Sequence, residues 1–208
     1  MKTVMLGEEA IAPTKILCIG RNYVDHIHEL GNEIPEDMVV FLKPNSAIST
    51  VLHSEHQGET LHYETELCFM FQQGRFTHVA VGLDLTKRDL QSKLKAKGLP
   101  WERAKAFDGG ALFSPFVAID DAEAPLHFSL SINDKLVQEG NIDLMIYKPQ
   151  TILSELQAFI SLDEGDIVMT GTPKGVGSIT ANSVFNVTLS RGVQASAEPL
   201  LEYQWLSV

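Results

Sequence analysis

The feature that most constrains this chain is the density of short β-forming runs set apart by tight-turn signals. Apolar or alternating segments occur at Lys15–Ile19, Val39–Leu42, Leu61–Phe71, His78–Asp84, Phe116–Ile119, Leu126–Ile132, Ile167–Thr170, Val184–Leu189 and Leu200–Leu206. Turn pairs at Gln73-Gly74, Asn133-Asp134, Glu164-Gly165 and Arg191-Gly192 separate several of them. Strands that short, returning that tightly, predict antiparallel or mixed pairing. Three stretches instead carry helical signals. Asn22–Leu30 stops at Gly31, and Thr86-Lys87-Arg88-Asp89 reads as a variant capping box before a helix that sets Leu90 and Leu94 on one face and stops at Gly98. Thr151–Ile160 places Ile152, Leu153, Leu156, Phe159 and Ile160 on one stripe suited to packing on a sheet. Helices do not alternate regularly with strands, so the expected fold is a β-rich α+β roll or sandwich and not a Rossmann sheet.

At 208 residues, with 44% hydrophobic and 21% charged residues, the chain fits one domain over 1–208 around one main core. Sixteen Lys and Arg stand against 27 Asp and Glu, a net charge of −11 without a basic block, which argues against nucleic-acid binding. No apolar run is long enough for a membrane span, and the N-terminus lacks the hydrophobic core of a signal peptide. Cys18 and Cys68 sit in strand-like runs with no CxxC spacing, as expected for reduced core thiols in a cytoplasmic protein. An acidic chain with an anionic substrate needs a local cation to receive it.

One candidate source of that cation is His62-Tyr63-Glu64-Thr65-Glu66-Leu67-Cys68-Phe69-Met70-Phe71. In a strand, Glu64 and Glu66 share a side with Cys68 and Met70, while Tyr63, Leu67, Phe69 and Phe71 line the other. Two carboxylates on a strand apolar on both faces repel and are expensive to desolvate, and a divalent cation removes both penalties. The next run ends its alternation at a third carboxylate, Asp84, so three hard oxygen ligands on a hairpin suit Mg²⁺ or Mn²⁺. Spacing alone suits a solvated edge equally well.

His26 and Glu29 share one face of a helical turn, an arrangement that raises imidazole basicity and prepares a general base; an exposed polar helix gives the same spacing. Lys105, between Pro100 and the Asp108-Gly109-Gly110 turn, suits either an oxyanion partner or a surface charge. The loop Thr170-Gly171-Thr172-Pro173-Lys174-Gly175-Val176-Gly177 has neither phosphate-loop nor dinucleotide spacing, although its amides and the Thr172 hydroxyl suit a small carboxylate.

In this order the segments ILCIGRNYVDHIHELG, VVFLKPNSAI, HYETELCFMF, GLDLTKRDLQ, KGLPWERAKAFD and DIVMTGTPKGVG resemble the fumarylacetoacetate hydrolase family, and most of all its short single-domain members of the acylpyruvase and oxaloacetate decarboxylase type. The resemblance implies a mixed β-sandwich roll with a short N-terminal lid helix (about 21–37), a homodimer, and one Mg²⁺ or Mn²⁺ per site. Matching motifs places the metal carboxylates on Glu64, Glu66 and Asp84, the lid-borne dyad on His26 and Glu29, and the active-site lysine on Lys105. Substrate contacts fall on Arg88, Gln91 and Thr172, with Arg21 and Lys43 shaping the site. Ser114 stands where members often carry glycine, in a segment expected to border the pocket.

The implied substrate is a small anionic keto acid, a 2,4-dioxo acid or a β-keto diacid, whose C–C bond is cleaved to leave a metal-stabilised pyruvate enolate. Acylpyruvate hydrolysis uses water activated by His26 with Glu29; oxaloacetate decarboxylation reaches the same enolate without water. An isomerase or decarboxylase of hydroxymuconate-type dienoates from aromatic breakdown is an alternative, and a noncatalytic β-roll binding a metal or an anion is another.

Overall fold

The computed structural model describes residues 1–193 and 199–208, and within them the fold is the expected β-rich α+β type. The larger sheet runs in the order Ala111–Phe113, Arg75–Asp84, Thr65–Gln72, Ile167–Met169, Lys15–Gly20, Val39–Pro44, with Val117–Ala118 also paired to Arg75–Asp84. Its ladders are antiparallel except for Ile167–Met169 beside Lys15–Gly20. A four-stranded antiparallel sheet, Lys135–Asn141, Leu126–Ile132, Val184–Arg191, Pro199–Leu206, packs over it. Two expected turns close as two-residue hairpins in which both central residues have positive φ: Gln73 (+54°) with Gly74 (+78°), and Asn133 (+49°) with Asp134 (+65°).

Each face of the larger sheet buries its own set of side chains. Leu17, Leu67, Phe69, Val81 and Val168 meet Phe128, Leu130, Phe185, Val187 and Leu189 of the second sheet in the main core. Ile16, Cys18, Cys68, Met70, Ala80 and Met169 form a second core on the opposite face. The expected alternation holds: Cys68 and Met70 belong to one core, Tyr63, Leu67, Phe69 and Phe71 to the other.

Several local expectations are corrected. The run Leu61–Phe71 is not one strand but His62–Tyr63 and Thr65–Gln72, because the Thr65 amide turns aside to the Gln138 side chain, 3.0 Å away. The helix after Asp84 spans Arg88–Ala96 with Lys87 at its N-cap, and no side chain caps it. The Thr86 hydroxyl is used elsewhere, donating to Asp84 O and accepting from Lys105 Nζ, so the capping box does not form. The later helix spans Pro149–Gln157; Phe159 lies beyond its end and is 63% exposed instead of packing on the sheet. Among the described residues no helix is long and apolar enough to cross a membrane.

Candidate active site

At one end of the larger sheet, Thr65–Gln72 begins, Arg75–Asp84 ends, and Lys15–Gly20 and Ile167–Met169 run out into loops. The register sets Glu66 opposite Gly82, so Glu66 and Asp84, two residues further on, share a face. Glu64, at the break between strands, accepts the Asp84 amide on its carbonyl at 2.8 Å. One carboxylate oxygen from each of Glu64, Glu66 and Asp84 lies within 4.8 Å of the others. All three side chains are buried, so none sits on a solvated edge.

Three carboxylates do not stay buried together without compensation. Lys105, at the end of the Glu102–Lys105 helix, reaches Glu64 Oε2 at 2.8 Å, Asp84 Oδ2 at 2.6 Å and Thr86 Oγ1 at 2.6 Å. Arg88 holds the other Glu64 oxygen. Burial would push the Glu64 carboxyl up, yet the Lys105 and Arg88 charges hold it well below the ordinary carboxylate range. Burial likewise opposes the Lys105 charge, but Asp84 and Glu64 raise its ammonium above the usual value. Glu66 goes the other way: burial, then repulsion from Asp84 and Glu64, pushes it well above the normal range. Its Oε2 accepts the Gly171 amide at 2.7 Å.

That amide contact explains a glycine. Gly171 has φ +96°, and a Cβ there would lie 2.9 Å from Asn22 Cβ and 3.0 Å from the Ile19 carbonyl. Asn22 pins the same corner, donating to Thr170 O (2.8 Å) and Tyr147 O (3.0 Å) and accepting from Tyr147 N (2.7 Å).

His26 lies on the helix Val24–Glu29 with Nδ1 3.1 Å from Glu29 Oε2. Glu29 Oε1 accepts the Gly175 amide at 2.9 Å, so this carboxylate ties the helix to the glycine-rich loop and leaves the other imidazole nitrogen for the cavity. His26, Arg21, Arg88, Gln91, Thr172, Lys105 and the three carboxylates line one common cavity. Gln91 Oε1 accepts from Arg88 at 2.8 Å. The Thr172 hydroxyl donates to Thr65 O at 2.9 Å and accepts from Gln138 Nε2 at 2.8 Å, so its proton is committed within the protein.

One expectation is sharpened and one changes. Lys43 is fully buried behind the carboxylates, with Nζ 2.8 Å from Asp84 Oδ1 and donating to the Leu85 and Lys105 carbonyls; it does not line the cavity, so it shapes the site through Asp84 instead of touching substrate. Ser114 lies outside the cavity as well, and its Oγ accepts the Val81 amide at 3.1 Å at the sheet edge.

The donor set fits a hard divalent cation such as Mg²⁺ or Mn²⁺. It offers oxygen only, from three buried carboxylates with one oxygen each within 4.8 Å of the others. Cys18 and Cys68 lie in the core beneath as thiols, held protonated by burial and the neighbouring carboxylates. Glu64, Glu66 and Asp84 would hold the ion, and Lys105 competes with it for Glu64 Oε2 and Asp84 Oδ2.

Sequence reasoning missed Gln138, Lys95 and Trp101. Gln138 fastens Thr65, between two of the carboxylates, to Thr172 and Pro173 across the cavity wall. It sits on Lys135–Asn141, an edge strand whose outward residues include Leu136 at 52% exposure; with a glutamine and a glycine facing inward, no apolar alternation announces it. Lys95 and Trp101 line the same cavity. Inward turning on the Arg88–Ala96 helix sets Lys95 apart from the exposed Lys93 and Lys97, which sequence spacing does not separate.

Residues 15–199 match the family model described as fumarylacetoacetate (FAA) hydrolase, C-terminal. The chain is 36% identical over 192 residues to the oxaloacetate tautomerase YcgM of Escherichia coli, covering 84% of this chain and 88% of that protein. It is 38% identical over 184 residues to the human mitochondrial oxaloacetate tautomerase FAHD1, covering 80% and 83%. The crystal structure of fumarylpyruvate hydrolase from Pseudomonas aeruginosa, in complex with Mn²⁺ and pyruvate, superposes with a TM-score of 0.86 at 27% identity over 99% of this chain and 95% of that one.

Proposed function

Because the chain belongs to the fumarylacetoacetate hydrolase family, we propose that it is a divalent-metal-dependent enzyme acting through the enolate of a chelating 2-oxo acid, and that its substrate is oxaloacetate, interconverted between enol and keto forms. The observation that carries this reading is the convergence, in one cavity, of three buried carboxylates with an imidazole oriented by Glu29. The names of the tautomerase relatives supply the substrate.

A divalent cation at Glu64, Glu66 and Asp84 supplies positive charge that lowers the cost of placing negative charge on the substrate's C2 oxygen. The chain's own residues do the rest. In the enol-to-keto direction one proton leaves the C2 hydroxyl and one is delivered to C3, so the sum is a proton relocation with no other reactant. His26 is the group placed to exchange the C3 proton, and Glu29 fixes its tautomer and steadies its charge when it holds that proton. Arg88, already bound to Glu64 and Gln91, turns its remaining donors to the substrate's oxygens. The helix Val24–Glu29 acts as the lid that excludes bulk water.

A second reading, hydrolysis of an acylpyruvate, draws support from the fumarylpyruvate hydrolase likeness. There His26 takes a proton from water as it attacks the distal carbonyl, and pyruvate leaves as its enolate. The test loads the protein with Mn²⁺ and follows loss of the ultraviolet absorbance of enol-oxaloacetate, with pyruvate release from acetylpyruvate in parallel. The expectation is acceleration of enol loss that falls by about a hundredfold in His26→Ala. Pyruvate release without enol conversion selects hydrolysis, and neither activity with metal bound rejects both.

A further inference from the structure

Four cationic side chains line the cavity, and two of them have no carboxylate partner. Arg88 and Lys105 are engaged by Glu64 and Asp84, whereas Lys95 and Arg21 form no ion pair among the described residues. Arg21 donates to the neutral Asn32 Oδ1 at 3.2 Å, and its buried Nε has no acceptor. Its backbone is left-handed, with φ +57°, a conformation unfavourable for a side chain of this size, so tertiary contacts hold it where it is.

Lys95 occupies the last turn of the Arg88–Ala96 helix, with Nζ 4.7 Å from the centroid of Trp101. Trp101 packs on Phe41 at 5.7 Å, making a firm apolar wall beneath the ammonium. Burial, then the positive charge of Arg21, pushes the Lys95 ammonium down to about 8. Glu64 offsets this only in part and makes no ion pair with Lys95, so a cation crowded by its own sign is relieved by an anion that arrives from solution.

We propose that Lys95, with Arg21 beside it, receives the second, distal carboxylate of the substrate and so makes the site selective for 2-oxo diacids over 2-oxo acids with a neutral tail. The proposal rests on the 2-oxo acid reading above and adds the end of the substrate which that reading leaves unassigned. The carboxylate cluster and its cation hold the C1–C2 end; the Lys95 and Arg21 pair, on the Trp101 wall, holds the other.

The test compares enol conversion of oxaloacetate and of its 4-methyl ester, which removes the distal charge and adds one methyl group, by Mn²⁺-loaded wild type, Lys95→Met and Lys95→Arg. The wild type is expected to show a KM at least about tenfold lower for the diacid. Lys95→Met should raise that KM about tenfold while leaving the ester's KM and both kcat values within about twofold, and Lys95→Arg should keep the preference. Persistence of the preference in Lys95→Met, or a parallel rise for the ester, overturns the assignment of Lys95 alone. A wild type that turns over neither compound overturns the underlying reading, and this proposal with it.

Discussion

Lys105 Nζ lies 2.6 Å from Asp84 Oδ2, and the same ammonium reaches Glu64, so one lysine bridges two of the three carboxylates that form the candidate metal centre. A divalent ion and this lysine therefore draw on the same lone pairs. Replacing Lys105 with Met leaves three buried acids without their bridging charge. In metal-free protein the loss is expected to be about 3 to 5 kcal/mol, which at this chain length lowers Tm by about 10 °C. Added Mn²⁺ should raise Tm more in the variant than in the wild type, read by thermal unfolding with and without the ion. Equal rises would show that lysine and ion do not compete.

Gly171 answers to two demands at once, a left-handed backbone and a close approach to Asn22, while its amide holds Glu66. Gly171→Ala is expected to cost about 2 kcal/mol or more in urea unfolding. It should also weaken Mn²⁺ binding in a titration, because Glu66 moves with the loop.

Gln138 illustrates control from a distance. Its side chain fixes Thr65, which stands between Glu64 and Glu66, and joins it to Thr172. Gln138→Leu strands those buried groups, so a destabilisation of about 2 to 4 kcal/mol is expected, along with reduced Mn²⁺ affinity. Unchanged affinity in a folded variant would show that Thr65 does not position the pair.

Asp166 tests the electrostatics of the fold away from the site. Its carboxylate accepts from the Thr14 hydroxyl at 2.7 Å, from Lys15 Nζ at 2.5 Å and from the Asp163 amide at 2.9 Å, tying the start of Lys15–Gly20 to its parallel neighbour. Burial alone would raise this acid, but the Lys15 ammonium and the surrounding donors hold it below its ordinary value. A depressed folded value contributes stability above the unfolded pKa of about 3.9 and loses it as pH falls through the folded value. Asp166→Asn should therefore cost about 3 kcal/mol at pH 7, with the difference closing below about pH 4, as measured by urea unfolding across pH.

Much of this was legible in the sequence because it rests on period and spacing. The alternation at Glu64, Glu66, Cys68 and Met70 is a strand property that survives the break at Glu64. The Gln73-Gly74 and Asn133-Asp134 turns are local chemistry, and both closed as read. What escaped depends on tertiary partners. The Thr86 hydroxyl was drawn to Lys105 instead of capping a helix. Lys135–Asn141 is an edge strand without apolar alternation, so Gln138 was hidden with it. Composition did not distinguish Lys43, buried against Asp84, from a lysine facing substrate. The net charge of −11 conceals a cavity whose wall carries Arg21, Arg88, Lys95 and Lys105 beside its three carboxylates.

The most direct test of the central claim is Mn²⁺ titration of the wild type and Glu66→Ala, followed by enol-oxaloacetate conversion by the same samples before and after chelation. The account predicts one ion per chain in the wild type, binding weakened by at least about a hundredfold in Glu66→Ala, and conversion that falls to the buffer rate wherever the ion is lost. Full activity in chelated wild type, or in Glu66→Ala without bound metal, would contradict it.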